Sequence, residues 1–345
     1  AFAVPMYWTL DVTINILQTP HRALVADLAS KEQQVPLQVV FVIFMSIGNF
    51  LAYSIMGIWR VPAEHMLELM LMICALNTLC IGVQFLIAKE EPLSRADASS
   101  AGCCSAITTI LRSVRGMPRL LYHLALVQCL VWIGNTAWTY YGVQWFANSV
   151  YEGDQHAPEH SPAWNAYGDG VSAFSLGGQL RSGLQLLSAL TIIALLLLMS
   201  LRPRLVYAPC IFVGAAASLL AAFAVGHSGA FAMVCLVISI LPETGSFAIP
   251  FGLVATLNRR AEEEGKQVST ALQMALLNCC VTVGQEICHL ALSVIEHRME
   301  LKAALPCVFI LAGVAHSLGG ASTLCLDDSP ATTGQDANRK EDDAS

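Results

Sequence analysis

Nine apolar stretches, separated by short polar segments, follow one another along the chain. An α-helix rises about 1.5 Å per residue, so roughly 20 consecutive apolar residues are enough to cross the hydrocarbon core of a bilayer. The pattern predicts membrane-spanning helices over residues 2–26, 36–59, 66–88, 120–146, 174–201, 205–225, 230–257, 268–295 and 303–326. The predicted fold class is an all-α membrane protein.

The longest connection, residues 89–119, is basic and separates three predicted helices from six. Many membrane transporters consist of two helical halves, and a long charged loop is typical of the junction between them. We therefore predict the remainder of an N-terminal half over residues 1–88, a central loop over 89–119 and a six-helix half over 120–326. Residues 327–345 are polar and acidic, which predicts a disordered tail.

The first predicted helix carries a polar stripe. Asp11, Asn15, Gln18 and Arg22 follow one another at offsets that return to one face of a helix with about 3.6 residues per turn. A charge that faces lipid at mid-bilayer costs roughly 2.5–3.5 kcal/mol. We interpret the stripe as part of a pathway lined by protein or water. The alternative is that Asp11 and Arg22 only pair with neighbouring helices and fix their packing.

Composition excludes the soluble classes of protein. The 345 residues are 55% hydrophobic and 12% charged, with a mean hydropathy of +0.59, whereas soluble domains contain about a quarter charged residues. A net charge of −7 argues against a nucleic-acid partner. Metal-ligand spacings, phosphate loops and nucleophile elbows are absent from the sequence, so we predict no metal, no cofactor and no enzyme activity.

Lysine and arginine residues predict the orientation in the bilayer. If the first helix runs from outside to inside, thirteen of the eighteen basic residues fall in inside segments and three fall outside. Because basic residues favour the cytoplasmic side, we predict that the loop over residues 152–169 faces outside, while residues 89–119 and the tail are cytoplasmic. The plasma membrane and an internal vacuole-type membrane both stay open as locations.

The stripe lies within a dense motif that begins Leu10-Asp11-Val12 and continues through Gln18, Pro20 and Arg22. This motif resembles the fourth transmembrane helix of sucrose–proton symporters, which belong to the major facilitator superfamily. The resemblance covers most of residues 10–291. It implies a twelve-helix bundle of which nine helices are present, with three more expected before the first residue. It also implies a neutral, sucrose-like sugar or glycoside as substrate and protons as the coupling ion.

Later helices contribute further candidates for substrate binding. Trp138 and Tyr141 are spaced to share a face with Trp145, which is typical of an interfacial aromatic belt or of a sugar-facing wall. Asn278 and Gln285, seven residues apart on one face, are similar to an Asn and a Gln of the family.

Other candidates depart from the family pattern. Where the family has two aspartates, this chain has Gly142 and Gln144, so the charged cluster linked to proton coupling is absent. We expect Asp11 to carry any coupling proton. Glu243, which is not a family feature, is either a second proton acceptor or a paired structural acid. Arg181 is predicted to be a buried polar group of the helix over residues 174–201.

Three alternatives remain from the sequence. A sensor or scaffold could keep the fold without transporting, and a facilitator could move sugar without protons. An intramembrane enzyme is disfavoured because no acid and base show a mechanistic spacing. The segment from Pro242 to Gly245 is predicted to break its helix, and such breaks can expose backbone carbonyls at a cavity.

Overall fold

The computed structural model describes residues 9, 13, 18, 21, 22, 24, 30, 33–58, 66–87, 115, 117–223, 228–265 and 270–326. This part of the chain forms helices and contains no strand. The helices are α1 (Gln34–Ile58), α2 (Met66–Ile87), α3 (Arg119–Gln144), α4 (Pro162–Leu197), α5 (Pro203–Phe223), α6 (Gly229–Ile238), α7 (Ile240–Glu263), α8 (Thr270–Glu296) and α9 (Leu301–Leu324). A π-helical turn, Trp145–Val150, extends α3.

Seven stretches of the described residues are long and apolar enough to cross a membrane, with α6 and α7 forming one of them. They correspond to seven of the nine predicted spans. The predicted span 66–88 corresponds to α2, within which Met70–Gln84 is the apolar part that is described. The predicted span 2–26 lies mostly outside the described residues, as do nearly all of residues 89–119 and the tail; the six positions described between 9 and 24 are helical.

The predicted start of the span at residue 174 is wrong, because α4 begins at Pro162. Ser161 caps the helix by accepting a hydrogen bond from the backbone N–H of Trp164 at 3.2 Å. Proline in the first helical turn needs no N–H partner and has a φ angle that suits the helix. Residues 162–169, which we predicted as loop, are therefore helical.

The helix break that we predicted at Pro242–Gly245 lies earlier in the chain, between α6 and α7. α6 ends at Ile238 and α7 starts at Ile240, so Pro242 stands in the first turn of α7 rather than at the break. Pro250 lies inside α7 and cannot donate to the carbonyl four residues earlier. That carbonyl, of Ser246, instead accepts a hydrogen bond from Gln128 Nε2 of α3 at 3.0 Å.

The helices pack around α3, which contacts α7, α8 and α9, while α5 packs along α9. α1 packs against α4 and α7, and we call this contact the three-helix interface. The face of α1 in the interface is buried, as at Val39 and Val42, whereas Phe44 and Leu51 on its other face are exposed. Nearly all described side chains of α2 are exposed and apolar, as expected for a surface in contact with lipid.

Charged residues distinguish the two ends of the bundle. Arg119, Arg204 and Arg260 lie at helix ends that meet on one side, where Arg204 also donates to the carbonyl of Leu326 at 2.9 Å. We call this side the basic end. The loop between α3 and α4 lies at the other side and holds three exposed or half-exposed acids, Glu152, Asp154 and Glu159. We call that side the acidic end.

Candidate functional site

An ion pair lies inside the three-helix interface. Arg181 of α4 donates from Nη2 to Glu243 Oε2 of α7 at 2.5 Å, and their side chains are only 4% and 8% exposed. Glu243 is the one buried acid among the described residues. The structure shows that Glu243 is paired, and its role as a proton acceptor stays a prediction. Removing one member of such a pair would leave an uncompensated buried charge, which typically costs about 3–5 kcal/mol.

Tyr53 of α1 completes a cluster of three polar side chains at the ion pair. Its hydroxyl lies near enough to the Arg181 guanidinium to interact with it electrostatically. The aromatic ring rests on Gly178, where an added Cβ would overlap it, and meets Phe174 edge-on at 5.9 Å between centroids. The missing side chain at position 178 therefore lets α1 bring Tyr53 to the ion pair.

Hydrogen bonds continue along the same interface, one and two turns further along α4. Asn49 Nδ2 of α1 donates to Gln185 Oε1 of α4 at 3.2 Å. Ser188 Oγ of α4 donates to Thr244 Oγ1 of α7 at 3.3 Å. Gln185, Ser188 and Thr244 are buried. The interface is thus a polar column between membrane-length helices.

Arg22 is buried at the part of the interface nearer the basic end, with 1% of its surface exposed. Its Nη1 donates to Gln38 Oε1 at 2.9 Å and to the carbonyl oxygen of Phe247 at 3.1 Å. The guanidinium also stacks 3.9 Å from the Phe251 ring centroid and 4.3 Å from that of Phe41. Arg22 therefore faces protein, between α1 and α7. Asp11 and Asn15 lie outside the described residues, and Gln18 is half-buried.

The predicted aromatic face of α3 divides between two sets of neighbours. Trp138 is fully buried, donates from Nε1 to Ser218 Oγ of α5 at 2.9 Å, and packs on Trp145 and on Phe309 of α9. Tyr141 instead meets His289 of α8, with 2.5 Å between the hydroxyl oxygen and Nδ1. Trp138 and Tyr141 thus form hydrogen bonds with different neighbouring helices, and the sugar-facing wall stays a prediction.

The remaining predicted residues lie away from the three-helix interface. Gln144 ends α3, and its side-chain oxygen is buried with no hydrogen-bond partner among the residues that the structure describes. On α8, Asn278 is buried and Gln285 is half-buried. The structure therefore brings together Arg181 and Glu243, with Arg22 on the same interface, and holds the other candidates on α3 and α8.

Sequence reasoning missed several buried polar residues. Tyr53 and Asn49 lie four residues apart in the second predicted span, and Gln38 lies eleven residues before Asn49 on the same helical face. This stripe is a signal that could have identified them. His316 of α9 is fully buried and lies 3.2 Å from Asn135 of α3. A single histidine in an apolar helix gives a weaker signal.

Metal binding has no obvious donor set in the described part of the bundle. Within the described residues no group of three or more His, Cys, Asp or Glu side chains lies close enough to hold an ion. The chemistry available at the three-helix interface is that of one carboxylate, two guanidinium groups, amides and hydroxyls. Such groups bind protons and oxygen-rich neutral ligands through hydrogen bonds.

Comparison with known proteins gives several relatives that are named sucrose transport proteins. SUT1 of Oryza sativa subsp. japonica is 26% identical over 199 residues, which cover 51% of this chain and 36% of the relative. SUC4 of Arabidopsis thaliana is 27% identical over 197 residues, 51% of this chain and 38% of the relative. SUT2 of Oryza sativa subsp. indica is 23% identical over 332 residues, 81% of this chain and 61% of the relative.

These matches span little more than a third of the first two relatives. No family model matches the chain. The helical architecture together with these similarities defines the fold class: an all-α bundle like that of the major facilitator superfamily. The seven membrane-length stretches within the described residues make this chain part of an integral, multi-pass membrane protein.

Proposed function

We propose that the protein transports a neutral, sucrose-like sugar or glycoside across a membrane together with protons. The observation that carries this proposal is the burial of Arg22, Arg181 and Glu243 in the interface between membrane-length helices. Ionisable groups inside a membrane are costly and generally mark the pathway of a substrate or an ion. The named activity of the sucrose transport proteins that the chain resembles supports the choice of substrate.

The interface suits a sugar better than a charged metabolite. Its amides, hydroxyls and guanidinium groups can donate to and accept from several sugar hydroxyls, and the charges of Arg181 and Glu243 compensate each other. Two carboxylates are available for a coupling proton. Glu243 lies in the interface, and Asp11 is the carboxylate that the family motif favours.

Uptake of radiolabelled sucrose by cells that express the complete protein tests this proposal. We expect saturable uptake above that of cells with an empty vector, and alkalinisation of the medium when sucrose is added. Competition by unlabelled sugars and polyols would then define the substrate class. Correctly inserted protein that takes up no sugar under any proton gradient would contradict the proposal.

An uncoupled facilitator is the second candidate, because Gly142 and Gln144 stand where the family has aspartates. Such a protein would equilibrate sugar across the membrane without concentrating it and without moving protons. A sensor or scaffold would bind sugar in an equilibrium assay but would not transport it. Fluorescence of a tagged full-length protein distinguishes the plasma membrane from a vacuole-type membrane.

A further inference from the structure

The Arg181–Glu243 pair is poorly explained as a device for stability. Both side chains are almost completely removed from water, and the attraction between two buried charges offsets only part of the free energy lost on desolvation. Apolar residues of similar volume often stabilise such a contact equally well. The pair also joins α4 to α7 at the point where Tyr53 of α1 reaches the guanidinium. A role in function is the better explanation.

Arg181 retains unused capacity to donate hydrogen bonds. Its Nε, and the Nε2 of Gln185 one turn further along α4, are buried and have no partner among the described residues. The side chain of Gln185 faces α1, where it accepts from Asn49. A ligand that satisfied these two donors would have to offer acceptor oxygens. Hydroxyl and ring oxygens of a sugar are such acceptors.

The charge balance around Glu243 depends on Arg181. The titratable side chains nearest to this turn of α7 are Arg181 of α4, Tyr53 of α1, Tyr207 and Cys210 of α5, which flank Gly245, and His316 of α9, which lies with Pro242 against Gly214. Within this described set, Arg181 is the strong base that contacts the carboxylate. A proton on Glu243 would leave Arg181 as a buried cation without a counter-ion, which is unfavourable unless another acceptor replaces the carboxylate.

Resting on the proposed sugar transport, we infer that Arg181 and Glu243 exchange partners during transport: Glu243 takes up the coupling proton, and Arg181 then binds the sugar. One O–H bond forms at the Glu243 carboxylate, with a proton from water on the side to which the site opens. The same bond breaks when that proton leaves on the opposite side. The guanidinium stays protonated throughout.

Coupling follows from the exchange of partners. Protonation of Glu243 removes the counter-ion of Arg181, and the sugar supplies the acceptor that replaces it. Each ligand therefore increases the affinity of the site for the other, which is the thermodynamic condition for cotransport. The sequence predicts that Asp11 carries any coupling proton, and Asp11 lies outside the described residues. The structure shows the acid–guanidinium contact at Glu243 and Arg181.

The test uses the complete protein in proteoliposomes, with sugar accumulation, sugar-for-sugar exchange and sugar-evoked proton flux measured for each variant. Glu243→Gln mimics the protonated acid. We expect it to keep exchange, with a rate that no longer depends on pH, and to lose both accumulation and proton flux. Asn258→Ala, on the same helix and hydrogen-bonded to Thr270, is the matched control and should behave as the wild type. Asp11→Asn should still accumulate sugar.

A double variant separates the exchange of partners from a structural tie. Arg181→Met combined with Glu243→Gln removes both charges, so a pair that only joined helices would be replaced without loss and accumulation would recover. We expect the double variant to reach the membrane and to lose exchange as well, because the sugar-binding guanidinium is gone.

Three results would overturn the inference. They are accumulation by Glu243→Gln with the pH dependence of the wild type, recovery of accumulation in the double variant, and uncoupling by Asp11→Asn while Glu243→Gln stays coupled. Each of these requires that the wild type transports sugar, so each contradicts the inference and leaves the proposed function standing. A wild-type protein without sugar exchange would overturn both.

Discussion

At the scale of single residues, the three-helix interface contains buried nitrogen donors that have no hydrogen-bond partner among the described residues. They are Nε and Nη2 of Arg22, Nε2 of Gln38, Nε of Arg181 and Nε2 of Gln185, each without a hydrogen bond to any described residue. An unsatisfied buried polar group typically costs about 1–3 kcal/mol. Acceptor oxygens of a ligand would satisfy these donors, which is consistent with the proposed binding role of this interface.

Replacing Arg22 by lysine should abolish sugar uptake while leaving the amount of protein in the membrane unchanged. The planar guanidinium stacks on Phe251 and donates to both Gln38 and the carbonyl of Phe247, and an ammonium group cannot reproduce that geometry. Initial uptake rates and surface labelling measure the two quantities. Arg259→Lys, at an exposed arginine that pairs with Glu262 one turn away, is the control. Normal uptake by Arg22→Lys would mean that the residue serves packing alone.

Trp138 offers a test of whether an aromatic residue lines the sugar site or the core. Trp138→Phe and Ser218→Ala remove the same hydrogen bond from opposite sides. Because Trp138 is fully buried, we expect each variant to lower the free energy of unfolding by about 1 kcal/mol and neither to change sugar affinity. Thermal unfolding and inhibition by unlabelled sugar measure the two effects. A loss of affinity confined to Trp138→Phe would restore the interpretation as a sugar-facing wall.

At the scale of helices, the interface forms because small residues let neighbouring helices approach each other closely. α1 reaches α4 because Gly178 leaves room for the ring of Tyr53, and α5 reaches α7 because Gly245 leaves room for Tyr207. In α7, Pro250 frees the carbonyl of Ser246 for Gln128. Small residues and proline thus convert apolar helices into a site where backbone and side-chain polar groups meet.

The contact between α1 and α4 can be tested with two glycines of one helix. Gly178→Ala places a methyl group against the Tyr53 ring, whereas Gly183→Ala meets nothing within 4 Å. We expect the first change to destabilise the protein by about 1–3 kcal/mol, as overpacking does, and to reduce sugar uptake. The second should be neutral or stabilising, since alanine favours helix by roughly 0.5–1 kcal/mol over glycine. Equal melting temperatures for the two variants would show that α1 does not pack on α4 at this point.

At the scale of the whole molecule, charged residues are distributed unequally between the two ends of the bundle. Most of the arginines in the described part of the chain lie at the basic end, and the loop between α3 and α4 at the acidic end holds acids without lysine or arginine, which matches the excess of basic residues on one side that the sequence predicts. We retain the prediction that the basic end is cytoplasmic. The exposed apolar surfaces of α1 and α2 are those expected of helices in contact with lipid.

Cysteine labelling tests this orientation. In a version with few cysteines, a single cysteine at Gln155 should react with an impermeant maleimide from outside, and one at Arg112 should react only after the membrane is permeabilised. The opposite pattern would invert the topology. The presence of three further helices before Ala1 stays a prediction.

Helix class, helix positions and the burial of single polar residues could be predicted from the sequence. Seven predicted spans correspond to membrane-length helices because the length of an apolar run is a local property that the bilayer requires directly. Arg22 and Arg181 were predicted to avoid lipid because a charge that faces lipid is costly, and both side chains are buried. The start of α4 could also have been predicted from Ser161 and Pro162, a cap and first-turn pair that hydropathy overlooks.

The partners of those residues were decided only by tertiary structure. Arg181 and Glu243 are separated by 62 positions, and a buried arginine can pair with any acid that a neighbouring helix presents. Trp138 and Tyr141 lie on one face of α3 by spacing, but that face meets α5 and α9 on one side and α8 on the other. Helical periodicity determines which side chains share a face of the helix, whereas the packing of neighbouring helices determines which residues each side chain contacts.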